Sequence, residues 1–481
     1  MASLRQDLIT GYCSPVGFAT LPDEVLLKVL AFLSPRQLLL VRRVCRQWRD
    51  LALDPWVWEC QDVCASDLQL AASVLRLAPC LRRLSVGEEE WNKFSSVCGV
   101  LLATSSCAVR KLDMTFLVFD ATIAALLVAK QGSLGRLEEV KVEVQVFTQE
   151  EYTVYNSRLH DLSQQLLYTK GLKKVELMTT LGADKSYLAV EAAPLLNAAQ
   201  RLEAPPPASL RGLTIQLVYL LPLFFEWHAT TLEVVQLCDA FPGAASLLAT
   251  LPRLRDLTCP VMPDLLALLR CPALKSLELI IRVREDTRPH LAETRALLLA
   301  AAPRLEEVTL VFVDDDAEEA ADLVSCVAGV ESTIAALKSL TVDGPAGVLR
   351  PLASTLHRLP NLVKLQIGEP TRLQGTDAFL EALDRQAVPK LKELRALPSE
   401  GCMHEWAHSE QVRSLLKRCP GLRLAMHEHW EEPKDECAYC AEHVCHSCLR
   451  LCTVVVSSHS ADVDCDVGPV TSKGCIYICV E

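Results

Sequence analysis

One short phrase recurs along most of the chain and restricts its fold more than any other feature. The pattern L-x-x-L-x-L, with Val sometimes replacing Leu, occurs thirteen times, and the last copy is degenerate. The copies begin at residues 81, 109, 137, 172, 210, 232, 254, 274, 305, 337, 362, 391 and 422. Their mean pitch is about 28 residues, with steps from 20 to 38. A single unit of this size cannot bury its own apolar face, so the period predicts a stack of repeats with one continuous core.

Each copy predicts a strand. In LKSLEL, Leu277 and Leu279 alternate with Ser276 and Glu278, which gives one buried and one solvated face. Amphipathic stretches between the copies predict helices, and the Pro or Cys-Pro before several strands should end each helix. This pattern and pitch are typical of the leucine-rich repeat. The predicted fold class is therefore α/β, with parallel strands on the concave face of a solenoid and helices on the convex face.

The first sixty residues carry a different signal. The stretch LPDEVLLKVLAFL, residues 21–33, predicts a helix that is apolar on nearly all sides. Ser-Pro at 34–35 and Asp-Pro at 54–55 predict the starts of two further helices, because Ser and Asp cap helices and Pro suits their first position. Three helices in about 40 residues form too small a core to bury all these side chains. We therefore expect a second polypeptide to cover part of them.

Residues 16–61 resemble an F-box, the helical module that docks on the Skp adaptor of cullin-based ubiquitin ligases. The resemblance rests on the Leu-Pro opening, the apolar first helix, the Ser-Pro turn, the segment VCRQW and a closing tryptophan. The resemblance and the apolar stripes together assign adaptor binding to Leu21, Pro22, Val25, Leu26, Val29, Leu30, Leu33, Leu38, Val41, Val44, Cys45, Trp48, Leu51 and Trp58.

The repeats resemble those that follow F-boxes in the leucine-rich class of F-box proteins. That resemblance implies a non-catalytic substrate receptor: the F-box binds the Skp adaptor and through it a cullin scaffold, and the repeats bind a protein substrate for ubiquitination and proteasomal degradation. The alternative is a scaffold or sensor whose repeats bind a partner without recruiting a cullin. The predicted segments are 16–61 for the F-box, 62–77 for a rigid, helical junction, 78–430 for about 12–13 repeats and 431–481 for a Cys-rich, partly disordered tail.

The outward positions of the predicted strands form a candidate substrate surface. They are Lys111, Asp113, Lys141, Glu143, Lys174, Glu176, Gln236, Asp256, Glu278, Glu307, Lys364 and Gln366. The first repeats mix charges of both signs, whereas Asp256, Glu278 and Glu307 make the middle acidic and favour a basic or mixed-charge target. The alternative is that these side chains only keep the sheet soluble.

Charge and hydropathy exclude several other classes. The formal charge is −12 and there is no long basic run, which argues against nucleic acid as a partner. No apolar run reaches the 18–20 residues or so that a membrane span needs, so we expect a cytoplasmic or nuclear protein with mostly reduced cysteines. No catalytic motif is present and no cofactor is expected. Isolated histidines such as His160, His228 and His290 are interpreted as surface or capping residues.

The tail holds a second cysteine pattern. Cys437 and Cys440 are spaced C-x2-C, as are Cys445 and Cys448. Zinc often takes four such ligands, but the two pairs are only four residues apart, closer than is usual. Three interpretations stay open: a cysteine-lined cap of the repeats without metal, a zinc site that supports a metal-dependent activity, or redox-active cysteines.

Overall fold

The structure is a computed structural model that describes residues 21–97, 104–146, 149–181, 207–216, 221–239, 241–285, 287–313, 319–330, 334–368, 376–396, 406, 409–426, 454–458 and 476–480. The chain divides into two compact units, residues 1–210 and 211–481.

The first unit begins with short helices and continues with alternating strands and helices. Helices α1 to α5 span Asp23–Leu30, Pro35–Val41, Arg46–Leu51, Pro55–Trp58 and Leu68–Leu77. Strands β1 to β5 span Asp62–Cys64, Cys80–Val86, Ala108–Leu117, Glu139–Val146 and Lys174–Leu181, and each pairs in parallel with the next. Further helices span Glu88–Val97, Ala121–Ser133 and Gln149–Tyr168, with a 3-10 turn at Val118–Asp120.

The second unit repeats this alternation with shorter helices. Strands β6 to β14 span Gly212–Ile215, Val234–Leu237, Asp256–Pro260, Ser276–Ile281, Glu307–Phe312, Ser339–Asp343, Lys364–Ile367, Glu393–Arg395 and Arg423–Met426, all parallel. Strands β15, Val454–Ser458, and β16, Ile476–Val480, follow antiparallel. The helices span Leu221–His228, Ala244–Leu248, Leu291–Ala301, Leu323–Cys326, Leu349–Thr355, Thr376–Ala382 and Glu410–Arg418, with 3-10 turns at Leu265–Arg270, Arg288–His290, Ala346–Val348 and Leu356–Arg358.

The predicted leucine-rich repeats are confirmed, because every copy of the phrase lies on a strand from β2 to β14. In β9, Leu277 and Leu279 are buried, and the parallel register places Val308 and Leu310 of β10 beside them. Equivalent apolar side chains therefore stack from strand to strand and form the core within each unit. Most of the intervening strand residues remain partly or fully exposed, as the period-2 alternation predicts.

The structure differs from the predicted arrangement in two places: four short helices, α1 to α4, replace the three predicted near the N-terminus, and the junction is not wholly helical. The segment expected to be a helical junction contains strand β1 as well as helix α5, and Val63 of β1 is buried while its neighbours are exposed. Three residues are too few to show a period-2 pattern in sequence. Strands β15 and β16 lie in the Cys-rich tail, for which the sequence left open a loose appendage or an edge strand. The candidate zinc ligands Cys437, Cys440, Cys445 and Cys448 lie outside the described residues.

Ion pairs join the helical N-terminus to the rest of the first unit. Arg36 of α2 pairs with Asp67, whose side chain also accepts a hydrogen bond from the Leu70 amide at 3.0 Å and so caps α5. The Leu70 amide and then Arg36 hold the pKa of Asp67 below its usual value. Arg136 pairs with Glu59 just after α4, at 2.9 Å. These contacts tether the four-helix segment to the repeats that follow it.

The expectation that the isolated histidines lie at the surface is wrong for two of them. His160 and His228 are buried, each on the inner face of an amphipathic helix. Burial lowers the pKa of His228 from its ordinary 6.5 to about 4. Sequence alone does not separate a buried histidine from an exposed one, since a helix can turn either face towards the core.

We expect the second unit to lose stability as pH falls from 6.5 towards about 4. The unfolded chain takes up a proton on His228 near pH 6.5 whereas the folded chain resists it, so the neutral ring is favourable for folding only at higher pH. His228→Asn should be less stable than wild type at pH 7.5 and should show a smaller further loss at pH 4.5. Thermal unfolding at both pH values checks this, with the exposed His357→Asn as the control. Equal losses in wild type and His228→Asn would contradict it.

Candidate protein-interaction surfaces

Short caps and side-chain bonds define the four helices at the N-terminus. Ser34 and Gln37 form a reciprocal capping box at the start of α2, with Pro35 in the first helical position. Asp54 accepts a hydrogen bond from the Trp56 amide at 2.8 Å and begins α4 in the same way. Because each helix begins at a fixed residue, the faces that the helices turn inwards and outwards are fixed as well.

The inner faces of these helices form a closed core. The Trp58 indole is fully buried and donates a hydrogen bond from Nε1 to the Ala52 carbonyl at 2.7 Å. Four residues predicted to bind an adaptor belong to this core: Leu26, Leu30, Leu38 and Trp58. Side chains that their own module buries cannot contact a partner unless the module opens. We infer that these four support the docking surface rather than line it.

The outer face of α1 carries an apolar stripe of Val25, Val29 and Phe32. Val25 and Val29 are each 41% exposed and Phe32 is 91% exposed. Steps of four and three residues place all three on one side of the helix and its C-terminal turn. Water therefore contacts a row of apolar side chains. Burial of each of them against another protein would contribute up to about 1.5–3 kcal/mol.

Further apolar side chains of this segment are exposed away from α1. Leu40, Val44 and Trp56 are all exposed. The sequence prediction included Val44 but omitted Leu40 and Trp56, and it also omitted Phe32, although the spacing from Val25 through Val29 leads directly to Phe32. Of the other residues assigned to adaptor binding, Pro22 and Cys45 are exposed, and five are half-buried: Leu21, Leu33, Val41, Trp48 and Leu51.

The exposed face of the strands, here called the open face, carries all twelve residues predicted to bind substrate, and none of them is buried. In the first unit, four of these six charged residues form ion pairs or charged hydrogen bonds within the chain. Lys111 of β3 lies 2.8 Å from Glu139 of β4, and Lys174 lies 2.5 Å from Glu176 on β5. Asp113 accepts a hydrogen bond from Arg83 of β2 at 2.6 Å. Lys141 and Glu143 lie on β4 between these pairs.

In the second unit, fewer of the predicted substrate-binding charges on the open face form ion pairs with described residues. Glu278 accepts a hydrogen bond from Thr258 at 3.2 Å, and Gln236 accepts one from Thr214 at the same distance. Lys364 lies 4.0 Å from Glu393. Asp256, Glu307 and Gln366 also lie on this face, on β8, β10 and β12. The open face of the second unit, on strands β6 to β14, thus carries hydrogen-bonding side chains as well as charges of both signs.

Comparison with known proteins assigns the helical segment. The family model for F-box-like domains matches residues 18–63, which includes α1 to α4. F-box/LRR-repeat protein 12 of Bos taurus is 41% identical over 46 residues. That match covers 10% of this chain and 14% of the relative, so it concerns the N-terminal segment alone. The N-terminal match joins a confirmed leucine-rich-repeat fold in the same chain. The chain thus combines an N-terminal segment that is similar to F-box-like domains with a leucine-rich-repeat fold.

A solved structure, that of the Rad7 and Elc1 complex in yeast, has a distant similarity to part of the chain. The similarity covers 78% of this chain and 86% of that chain, at 14% sequence identity and a TM-score of 0.37. A similarity this distant supports no conclusion about function.

A polar cavity of about 450 Å³ lies where the F-box meets the repeats of the first unit. Glu59 and Arg136 face it as one ion pair, and Arg110 and Glu138 as a second, both at 2.9 Å. Lys173 also pairs with Glu138, and these two cations lower the pKa of that carboxyl group. The charges around the cavity thus neutralise one another, and we interpret it as part of the structural joint.

The described residues contain neither a metal-binding cluster nor a membrane-spanning helix. Among them, no group of three or more His, Cys, Asp or Glu side chains is arranged to hold a metal ion. Within the same part of the chain, no helix combines the length and hydropathy that a bilayer-spanning segment requires.

Proposed function

We propose that this protein is the substrate-recognition subunit of a Skp-cullin-F-box ubiquitin ligase. The observation that carries the proposal is the apolar stripe of Val25, Val29 and Phe32 on an F-box-like domain whose own core is already closed. Phe32 contributes little to the packing of the domain, and Val25 and Val29 each keep 41% of their surface exposed. Their exposure is best explained by a second protein that covers them.

The apolar stripe supports docking on a Skp adaptor. Phe32 supplies a large, rigid ring at one end of the stripe, and the two valines extend the contact along α1. Full burial of each such side chain is worth about 1.5–3 kcal/mol, and Leu40 and Val44 offer further apolar area nearby in sequence.

The repeats contribute recognition rather than chemistry in this proposal. Polar and charged side chains on successive parallel strands present many hydrogen-bonding groups to one partner surface. Ubiquitin transfer belongs to the partner subunits, and this chain holds a protein substrate within reach of them. The cullin joins through the adaptor.

Reconstitution from purified components tests the proposal. The full-length chain, a Skp adaptor and a cullin are mixed and separated by size-exclusion chromatography with light scattering. We expect a stable complex of one copy of each, formed only when the adaptor is present. A chain that binds no adaptor would overturn the proposal, and a chain that binds the adaptor but excludes the cullin would instead favour the scaffold or sensor alternative.

A further inference from the structure

We propose that a basic patch of Arg42, Arg43, Arg46 and Arg49 is a second contact surface of the F-box and binds an acidic surface on the adaptor that covers the apolar stripe. This inference rests on the proposed docking of a Skp adaptor and specifies the charge that the adaptor presents beside its apolar contact. The basic patch acts mainly on the rate at which the two proteins associate, and the apolar stripe acts mainly on the lifetime of the complex.

The basic patch is a local excess of positive charge in an acidic chain. Residues 42–50 contain four arginines and one acidic residue, Asp50, whereas the whole chain has a formal charge of −12. Arg43, Arg46 and Arg49 are exposed, and Arg42 is half-buried. Single cations scattered over a surface need no explanation, but four cations within eight residues repel one another and destabilise the segment that holds them.

The chain itself does not neutralise the basic patch. Two other arginines of the first unit form ion pairs: Arg36 binds Asp67, and Arg82 binds Asp62 at 2.6 Å. Among the described residues, in contrast, no carboxylate lies within 4.0 Å of any of the four patch arginines. The positive charge of the patch therefore remains available to a partner.

The helices do not account for all four charges. Arg42, Arg43 and Arg49 lie at the C-terminal ends of α2 and α3, where the helix dipole slightly favours a cation. Arg46 is the first residue of α3, where the same dipole disfavours a cation. Arg46 therefore carries a charge that its own helix does not favour and that no described carboxylate compensates, and an acidic partner gives this charge a role.

One hydrogen bond brings the basic patch next to the apolar stripe. Gln47 Nε2 donates to Asp23 Oδ1 at 2.8 Å and joins the first turn of α3 to the first turn of α1. The two helices also pack against each other. Arg46 precedes Gln47 in sequence, and Val25 of the stripe lies two residues after Asp23. A protein that covers the α1 end of the stripe is therefore within reach of the arginines.

Apolar side chains lie among the arginines and favour a protein as the partner. Leu40, near the end of α2, is 57% exposed, and Val44, directly after Arg43, is 66% exposed. A protein surface can cover these apolar groups while its Asp and Glu side chains form paired hydrogen bonds with the guanidinium groups. A nucleic-acid backbone offers phosphates but no apolar contact, and the net charge of −12 repels it.

Charge and apolar burial act at different stages of binding. At about 0.1 M salt, an exposed charge acts over about 10 Å, so the arginines attract an acidic surface before the two proteins touch. The rest of this acidic chain repels the same surface, and the partner is thereby oriented towards the patch. Burial of the apolar stripe begins only at contact and therefore acts mainly on the dissociation rate.

Binding kinetics at two salt concentrations test the inference. A Skp adaptor is passed over the immobilised full-length chain in a surface plasmon resonance experiment at about 50 mM and about 300 mM salt. We expect the association rate constant of wild type to fall about tenfold at the higher salt. At the lower salt, Arg43→Glu/Arg46→Glu/Arg49→Glu should associate about tenfold more slowly than wild type or slower still, with a dissociation rate constant within about threefold of wild type.

Two further triple variants separate the patch from general effects of charge and folding. Arg253→Glu/Arg270→Glu/Arg350→Glu makes the same change in net charge at exposed positions of the second unit and should associate as wild type does. Arg43→Gln/Arg46→Gln/Arg49→Gln adds no negative charge to the F-box and should associate at a rate between those of wild type and the patch glutamate variant. If circular dichroism shows the patch glutamate variant unfolded, this glutamine variant decides the outcome.

Three results would overturn the inference. The first is a wild-type association rate that does not depend on salt, and the second is a folded patch variant that associates as fast as the second-unit control. The third is binding of wild type to a DNA duplex or to anionic lipid vesicles that the patch glutamate variant loses, which would assign the arginines to another kind of partner. A wild-type chain that binds no adaptor at all would overturn the proposed function itself, so the two failures are distinguishable.

Discussion

Phe32→Asp is expected to weaken adaptor binding at least 100-fold and to leave the F-box folded. The Phe32 ring is 91% exposed, so its removal costs the isolated domain almost no packing. In the complex the variant loses about 1.5–3 kcal/mol of apolar burial and also places an unpaired carboxylate in an apolar contact, which costs several kcal/mol more. A loss of about 2.7 kcal/mol already corresponds to a 100-fold change in Kd. Isothermal titration of the full-length chain with a Skp adaptor measures it.

A control outside the F-box separates docking from general surface effects. Leu126, on the helix Ala121–Ser133, is another large apolar side chain exposed to solvent. Leu126→Asp introduces the same charge into an exposed apolar position and should bind the adaptor with wild-type affinity. Circular dichroism and thermal unfolding should show both variants folded. If Phe32→Asp bound as tightly as Leu126→Asp, the apolar stripe would not be the docking surface.

The repeats could be predicted almost completely from sequence, and the reason is physical. The alternation of Leu277 and Leu279 with Ser276 and Glu278 predicts which side chains face the core, because a strand has only two faces. Recurrence at a steady pitch then fixes how the strands stack. What the period could not show was β1, which is too short to alternate visibly, or strands β15 and β16, which do not carry the repeat phrase.

The F-box surface could be predicted only in part. Leu26 and Leu30 are four residues apart, as are Val25 and Val29, and the two pairs are neighbours in sequence on α1. Both pairs are apolar, so the sequence pattern does not distinguish them. Which pair faces inwards depends on how four short helices pack, and in the structure Leu26 and Leu30 are buried while Val25 and Val29 are exposed. Sequence therefore located the segment but merged its core with its docking face.

The charge pattern of the open face shows a similar limit. Sequence indicated mixed charges in the first repeats and an acidic middle, and both are present. Whether a charge is available to a partner depends on its neighbour across the sheet, and Lys111 and Glu139 become neighbours only through the register of β3 and β4. The difference between a paired and an unpaired row of charges is thus a property of the tertiary structure.

Trp58→Ala should separate the core of the F-box from its docking face. Trp58 is fully buried and its indole Nε1 bonds to the Ala52 carbonyl, so the substitution leaves a large cavity and an unsatisfied carbonyl. Truncation of a buried aromatic side chain costs about 3–5 kcal/mol, which is a large fraction of the free energy of unfolding of a small helical module. We expect local unfolding of the F-box, with hydrogen exchange of α1 to α4 rising sharply and adaptor binding lost as a consequence.

Trp56→Ala is the matched control, because Trp56 lies on the same short helix but is exposed. It should leave hydrogen exchange of α1 to α4 near that of wild type, as the indole contributes little to the core. Trp58→Phe should restore part of the protection by refilling the cavity, although the bond to Ala52 stays lost. Unchanged exchange in Trp58→Ala together with lost adaptor binding would mean that Trp58 reaches the partner directly, and the division of this segment into a closed core and an outer apolar stripe would then be wrong.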